Sequence, residues 1–192
     1  WTEVADLGTA RYSLAAAGTA TNAIAFGGAT SPTTTKTETE SWNGSSWTEV
    51  ADLGTSRYSL GGSGVYNSAL AYGGYNSTPL TADVALTESW NGSAWTEVAD
   101  LNVVHRQTGS AGTSNTSALC FGGIPPSPAG MTNTELWDGS SWTEQNDLAN
   151  GVRTQASCGS TSAALSAGGG VPHVARSEEW IAPVTNTVTF TA

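Results

Sequence analysis

Arginine and glutamate recur at matched places along the chain, and these residue types could do chemistry together. A planar guanidinium can hold a carboxylate through two parallel hydrogen bonds, so a cluster of arginines could clamp an acidic ligand. A residue that returns once per repeat at the same place, however, usually builds the repeat. We therefore predict that arginine and glutamate pair at junctions between repeats. The matched residues are Arg11, Arg57, Arg106 and Arg153, and Glu40, Glu88, Glu135 and Glu178.

The sequence contains no set of acidic residues that differ in their surroundings, as an enzyme active site would need. A glycosidase needs two carboxylates in unlike surroundings, one of which keeps its proton, whereas the matched acids here are copies of one another. The two histidines, His105 and His173, have no Cys, Asp or His at metal-ligand spacing. We predict no metal, no cofactor and no catalysis, with glycan cleavage as the less favoured alternative.

One phrase divides the chain into repeats. Residues 42–53 read WNGSSWTEVADL, and close copies begin at Trp90 and Trp137. Asn-Gly between two alternating segments predicts a hairpin, because both residues tolerate the positive φ of tight turns. The second tryptophan of the phrase recurs at intervals of 46, 48 and 47 residues, which indicates an array of similar units. These tryptophans are Trp1, Trp47, Trp95 and Trp142.

Four strands are predicted for each repeat. The first follows the matched arginine and consists of Ala, Gly and Ser, which suits a strand hemmed in by neighbouring backbone. The second ends in Gly-Gly, and a loop of variable length follows before the two strands of the Asn-Gly hairpin. The variable loops are residues 29–37, 75–87, 124–134 and 170–177.

The two ends of the chain share one repeat. Residues 1–7 repeat the second half of the phrase, whereas no Asn-Gly hairpin and no second tryptophan follow Trp180. We predict that residues 1–7 supply the outer strand of the last sheet, because such closure leaves only short, protected edges. The expected domain is 1–183, with Val184 to Ala192 as a C-terminal strand or tail.

Composition excludes two classes of partner. The net charge is −10, of which twelve matched acids less four matched arginines account for −8. Six Lys and Arg residues cannot form the basic face that phosphate binding requires, so we expect no nucleic acid. No stretch of about 18 apolar residues occurs, so we expect no membrane span.

A unit of about 47 residues with these features resembles the kelch repeat of β-propellers. The resemblance covers residues 11–180, although Trp stands where kelch repeats usually have Tyr, and the two aromatic residues are unusually close. It implies an all-β, four-bladed β-propeller of four-stranded antiparallel blades, closed by the N-terminal strand. The array is also similar in style to kelch-like virion and surface proteins of marine phages, which implies an extracellular or virion surface location. The motif residues are Gly27-Gly28, Gly73-Gly74, Gly122-Gly123 and Gly168-Gly169, and Trp42 and Trp47 with their copies.

In a propeller of this kind the four variable loops open on one face. Loops on a rigid scaffold often carry function, although they also vary where nothing constrains them. We predict a non-enzymatic module that binds a glycan or a protein through this face. The alternative is a structural subunit of a surface assembly or filament, a homo-oligomer joined by adding Val184–Ala192 to a neighbour's sheet. The candidate binding residues are Lys36, Tyr75, Asn76, Asp83, Met131, His173 and Arg176, with His105 on a neighbouring connection.

Overall fold

The computed structural model describes residues 1–124, 130–170 and 173–183. This part of the chain contains six antiparallel sheets and no helix, which confirms the predicted all-β, antiparallel fold. Four of the sheets correspond to the four repeats and are called sheets 1 to 4. The other two are two-stranded ribbons inside the first two variable loops, where the sequence predicted only loops.

The strands follow the repeats in order. The first repeat contains β1 (Ala15–Gly18), β2 (Ala23–Phe26), β3 (Ala29–Ser31), β4 (Thr34–Thr35), β5 (Thr39–Trp42) and β6 (Trp47–Glu49). The second contains β7 (Gly61–Val65), β8 (Ser68–Tyr72), β9 (Tyr75–Asn76), β10 (Ala82–Asp83), β11 (Thr87–Trp90) and β12 (Trp95–Glu97). The third contains β13 (Gly109–Ser114), β14 (Ser117–Phe121), β15 (Thr134–Trp137) and β16 (Trp142–Glu144), and the fourth contains β17 (Ala156–Gly159), β18 (Ala163–Ala167) and β19 (Ser177–Ile181).

Sheets 1 to 3 have the four predicted strands each. Their orders are β1-β2-β5-β6, β7-β8-β11-β12 and β13-β14-β15-β16, and the ribbons are β3-β4 and β9-β10. Each Asn-Gly or Asp-Gly pair closes a hairpin, as predicted, but only the glycine has positive φ. The Asn43 side chain supports its turn, because its Oδ1 accepts backbone hydrogen bonds from Ser45 and Ser46, both at 2.9 Å.

Within the described residues, sheet 4 has three strands, in the order β17-β18-β19. Residues 1–7 form no strand, residues 1–6 are exposed, and Trp1 is fully exposed. The described structure therefore does not contain the predicted closing strand. The predicted C-terminal strand, 184–192, lies outside the described residues.

The first strands of all four sheets line a single cavity. Alanine, glycine and serine are needed there because the strands approach closely. A Cβ added to Gly62 would lie 2.8 Å from the Cβ of Ala15 and 2.8 Å from Cζ of Phe26. The residues lining this cavity are Ala16, Ala17, Gly18, Gly62, Ser63, Gly64, Ser110, Ala111, Gly112, Cys158 and Gly159.

Three junctions between successive sheets use the same backbone hydrogen bonds. In each, the second glycine of a Gly-Gly pair donates to a carbonyl of the next repeat, and a residue before the next first strand donates to its counterpart. The first set is Gly28 to Arg57 at 2.9 Å, Gly74 to His105 at 2.7 Å and Gly123 to Val152 at 2.7 Å. The second set is Ser59 to Ser13 at 2.8 Å, Gln107 to Ser59 at 2.8 Å and Thr154 to Gln107 at 3.0 Å. Within the described ranges, no such bond joins sheet 4 to sheet 1.

This pattern corrects the predicted alignment of the arginines. Arg57, His105 and Val152 occupy equivalent places, so Arg106 and Arg153 each lie one residue beyond the place of Arg11 and Arg57. The predicted pairs exist where arginine is present, since Arg11 binds Glu40 and Arg57 binds Glu88, each at 2.9 Å. The alignment was wrong by one residue because Arg106 directly follows the histidine that replaces arginine.

Candidate binding face

Three tyrosines form an arc at the end of the sheets that carries the variable loops, which we call the loop face. The ring centroids of Tyr12 and Tyr58 are 6.2 Å apart, and those of Tyr58 and Tyr75 are 5.7 Å apart, both edge-on. Isolated backbone bridges position the arc, because Tyr12 pairs with Ala29 and Tyr58 pairs with Tyr75. Tyr12 is 44% exposed, and the other two rings are half-buried.

Arg106 and Asp83 extend the tyrosine arc into the next repeat. The Arg106 guanidinium lies 5.1 Å from the ring centre of Tyr75, and its Nε lies 2.9 Å from Oδ1 of Asp83. Asp83 reaches this place because β9 and β10 pair Asp83 directly with Tyr75. Burial raises the pKa of Asp83, and the charge of Arg106 offsets part of that rise. The arc thus presents flat aromatic rings beside one fixed cation and one carboxylate.

A small mouth opens at the loop face, beside the starts of the four first strands. Each repeat places one residue other than glycine in the left-handed region just before its first strand, with φ values of 52° to 55°. The lining has an apolar side, Leu14 and Leu60, and a polar side, Thr108 and Gln155. The buried Gln155 donates to the Phe121 carbonyl at 2.9 Å, while its Oε1 has no hydrogen-bond partner. The left-handed residues are Ser13, Ser59, Gln107 and Thr154, and all four line the mouth.

The structure brings only some of the predicted residues together. Tyr75 and Asp83 both belong to the arc, and Asn76 is buried beside it, where its Nδ2 donates to the Ser56 carbonyl at 2.6 Å. Lys36 is half-buried and pairs with Glu38 at 2.7 Å. These residues lie in the first two variable loops.

The remaining loop candidates lie in the third and fourth loops. Met131 is buried and forms a backbone bridge with Val152, so it is part of the scaffold. His173 and Arg176 are exposed in the connection before β19, and the Arg176 carbonyl accepts a hydrogen bond from Gly168 at 2.7 Å. No contact described here joins either side chain to the tyrosine arc.

His105 lies in the interior and not on the loop face. Its side chain is fully buried, with Nδ1 at 2.7 Å from the Gly122 carbonyl and Nε2 at 3.5 Å from Oε1 of Glu135. Burial alone would lower the pKa of His105, but Cys120, Glu135 and the Gly122 carbonyl together raise it to about 11. His105 thus takes the place of the buried arginine of the first two repeats and faces the matched glutamate of its repeat.

Tyr12, Tyr58 and Arg106 were missed by the sequence analysis as candidate binding residues. A signal was present, because each stands five residues after the last leucine of the phrase. In the first two repeats an arginine directly precedes this position, which makes its recurrence hard to see. Its four residues are Tyr12, Tyr58, Arg106 and Arg153.

Within the described part of the chain, no three His, Cys, Asp or Glu residues group in a way that could hold a metal ion. The same residues include no helix long and apolar enough to cross a bilayer. No protein-family profile matches the chain, and no curated protein matches it significantly.

Proposed function

We propose that the four sheets are the blades of a four-bladed, kelch-like β-propeller of four-stranded antiparallel blades, closed by the N-terminal strand. The shared cavity along the four first strands supports a radial arrangement. So do the three junctions with the same backbone hydrogen bonds, since blades related by a common rotation must repeat their contacts.

The proposed function is non-enzymatic binding of a glycan or a protein through the loop face, on an extracellular or virion surface. The tyrosine arc with Arg106 and Asp83 is the observation that carries the proposal. Tyrosine offers a rigid aromatic face with a polar tip, and tyrosine and arginine often dominate binding energy at interfaces. The arc crosses three repeats, so it presents one continuous recognition surface on a β scaffold.

A binding role is favoured over glycan cleavage by the state of the matched glutamates. Glu40 accepts hydrogen bonds from Gly8 at 2.7 Å and from Arg11 at 2.9 Å, and Glu88 is held in the same way by Gly54 and Arg57. These carboxylates are used to join the repeats. Asp83 is paired with Arg106 and would need a second carboxylate in an unlike setting to act as a glycosidase residue.

The alternative function, a structural subunit joined through Val184–Ala192, concerns residues outside the described ranges. It therefore stays a prediction.

Substitutions in the tyrosine arc test the binding proposal. We expect Tyr58→Ala and Tyr75→Ala each to weaken binding to glycans or to cell-surface protein by at least about tenfold, as loss of an interface hot spot does. Tyr66→Ala is the matched control, because Tyr66 is exposed in the β7–β8 turn at the opposite end of sheet 2. The measurement is a glycan array, followed by binding titrations on any ligand found and on intact cells. Binding that Tyr66→Ala reduces as much as the arc variants do would contradict the proposal.

A further inference from the structure

The tryptophans that begin the fourth strands of sheets 2 and 3 pack against the sheet that precedes their own in the chain. Trp95, at the start of β12, donates from Nε1 to Oγ1 of Thr39 at 3.0 Å, and its ring lies 4.9 Å from that of Phe26. Trp142, at the start of β16, repeats this arrangement one sheet later. It donates to Oγ1 of Thr87 at 3.0 Å, and its ring lies 5.1 Å from that of Tyr72. Each tryptophan therefore fastens its own sheet to an aromatic residue and a threonine of the sheet before it.

Sheet 3 carries the same aromatic and threonine pair. Phe121 and Thr134 are direct cross-strand partners, as are Phe26 and Thr39 in sheet 1. Both residues line a cavity between sheets 3 and 4, which we call the junction cavity. No tryptophan side chain occupies it among the described residues, since the described part of sheet 4 contains no counterpart of β12 or β16.

The walls of the junction cavity match the surroundings of Trp95. Trp95 packs on a cluster that contains Ile24, Phe26, Leu53, Ala69, Ala71 and Trp90. The corresponding residues of the next repeats line the junction cavity, and they are Leu119, Phe121, Leu148, Ala164, Ser166 and Trp180. The match includes side chains from sheet 3, from sheet 4 and from the connection between them. The lining of the junction cavity therefore corresponds, residue by residue, to the surroundings of a packed indole.

One segment of the chain has the required residues and the required reach. Residues 1–3 read Trp-Thr-Glu, the same as β6, β12 and β16. In every repeat, the residue seven places after this tryptophan donates its backbone N–H to the glutamate of the following sheet. The donors and acceptors are Gly8 to Glu40 at 2.7 Å, Gly54 to Glu88 at 2.7 Å, Asn102 to Glu135 at 2.8 Å and Ala149 to Glu178 at 2.7 Å.

We infer that the junction cavity is the binding site for the Trp1 indole, and that residues 1–3 dock there as the fourth strand of sheet 4. Trp1 then donates from Nε1 to Oγ1 of Thr134 and packs edge-on against Phe121. The register of sheet 1, in which Trp42 pairs with Trp47 and Ser41 with Thr48, places Trp1 opposite Trp180 and Thr2 opposite Glu179. Trp1 is exposed in the described structure, so docking requires residues 1–3 to move onto sheet 4.

The amino-terminal segment of the same chain is the favoured occupant over that of a second copy. The Gly8 N–H already attaches the far end of the segment to Glu40 of sheet 1. In the same way, the Gly54 N–H attaches the chain after β6 to Glu88 of sheet 2. The number of residues between tryptophan and anchor is identical, so an intramolecular connection has the right length. A tethered segment also docks at a higher effective concentration than a free one.

Disulfide trapping tests the inference. In a Cys158→Ala background, Thr2→Cys with Glu179→Cys places one thiol on each proposed partner, and both residues are exposed in the described structure. Directly opposed residues of neighbouring strands lie within disulfide range. With oxidised glutathione as the oxidant, we expect a bond within one chain, detected by peptide mass mapping and by the mass of the monomer. The positive control is Ser41→Cys with Thr48→Cys, an existing pair of sheet 1, and the negative control is Thr2→Cys with Ser93→Cys.

Each outcome decides the inference. A Thr2 to Glu179 yield close to that of the positive control supports docking in the same chain. Thiols that stay reduced while the positive control is oxidised would overturn the inference, and crosslinks found only between chains would overturn the choice of occupant. The inference deepens the proposed propeller, but it can fail separately from loop-face binding, which is measured through Tyr58 and Tyr75.

Discussion

The buried arginine side chain of each of the first two repeats forms an ion pair with a buried glutamate. The Arg57 side chain is fully buried and donates to Glu88 at 2.9 Å, so its removal leaves a carboxylate without its cation inside the protein. We expect Arg57→Ala to lower the free energy of unfolding by about 3–5 kcal/mol, measured by urea denaturation. Lys36→Ala is the control, because the half-exposed Lys36–Glu38 pair is worth about 0–1 kcal/mol. Equal effects of the two substitutions would contradict this account of the junction.

His105 makes the stability depend on pH. Its neighbours raise its pKa to about 11, so the folded state holds the proton more tightly than the unfolded state does. The resulting stabilisation is complete below the ordinary histidine pKa of about 6.5 and is lost as the pH rises toward the folded-state value. We expect the free energy of unfolding to fall between about pH 6.5 and pH 10, measured by urea denaturation at each pH.

His105→Arg provides the matched control for that pH dependence. Arginine stays charged throughout this range and stands at the equivalent place in the first two repeats. The difference in unfolding free energy between wild type and His105→Arg should therefore change steadily with pH. Parallel curves for the two proteins would show that His105 does not hold a proton in the folded state.

Single residues were the hardest level to predict from the sequence. The pairing of arginine with glutamate followed from their recurrence, and Arg11–Glu40 and Arg57–Glu88 confirm it. The sequence could not show that His105, and not Arg106, takes the third place, because the two residues are adjacent and only burial separates them. For the same reason Arg106 was not recognised as the partner of Tyr75 and Asp83.

At the level of elements, each Gly-Gly pair allows the backbone to approach the next repeat closely enough to form the junction between two sheets. Gly73 has a φ of 63°, and a Cβ added there would lie 2.3 Å from the His105 carbonyl oxygen. We expect Gly73→Ala to lower the melting temperature and to cost at least about 1–3 kcal/mol, since both the conformation and the contact resist a side chain. Gly54→Ala is the control, because its Cβ would find its nearest contact at 3.4 Å, an ordinary separation. A larger loss for Gly54→Ala would contradict the proposed role of the Gly-Gly pair.

The sequence predicted the main strands well because alternation, Gly-Gly and Asn-Gly mark where a strand runs and ends. It did not predict β3, β4, β9 and β10, since strands of two or three residues are too short to show a period. Those ribbons form the loop face around Tyr75 and Asp83. The sequence therefore predicted the variable loops as the candidate region, while the tyrosine arc within it depends on local pairing that the sequence does not display.

For the whole molecule, the period of the tryptophans predicted four repeats, and the composition with its many turn residues predicted the all-β class. Closure could not be decided in the same way, because it depends on one contact between residues 1–7 and β19, which are far apart in sequence. The described structure shows three junctions with matching hydrogen bonds, and within the described residues no such bond joins sheet 4 to sheet 1. The radial arrangement of the sheets is the claim on which the loop face, the mouth and the junction cavity all depend.

Distances between spin labels at the ends of the first strands test that arrangement most directly. Ala20, Thr116 and Ser162 are exposed in equivalent turns of repeats 1, 3 and 4, and each can carry a label in a Cys158→Ala background. If the sheets surround an axis, repeat 4 is a neighbour of repeat 1 and repeat 3 lies across from it. The account predicts that the distance from Ala20 to Ser162 is shorter than the distance from Ala20 to Thr116. A longer distance from Ala20 to Ser162, as in an open row of sheets, would contradict it.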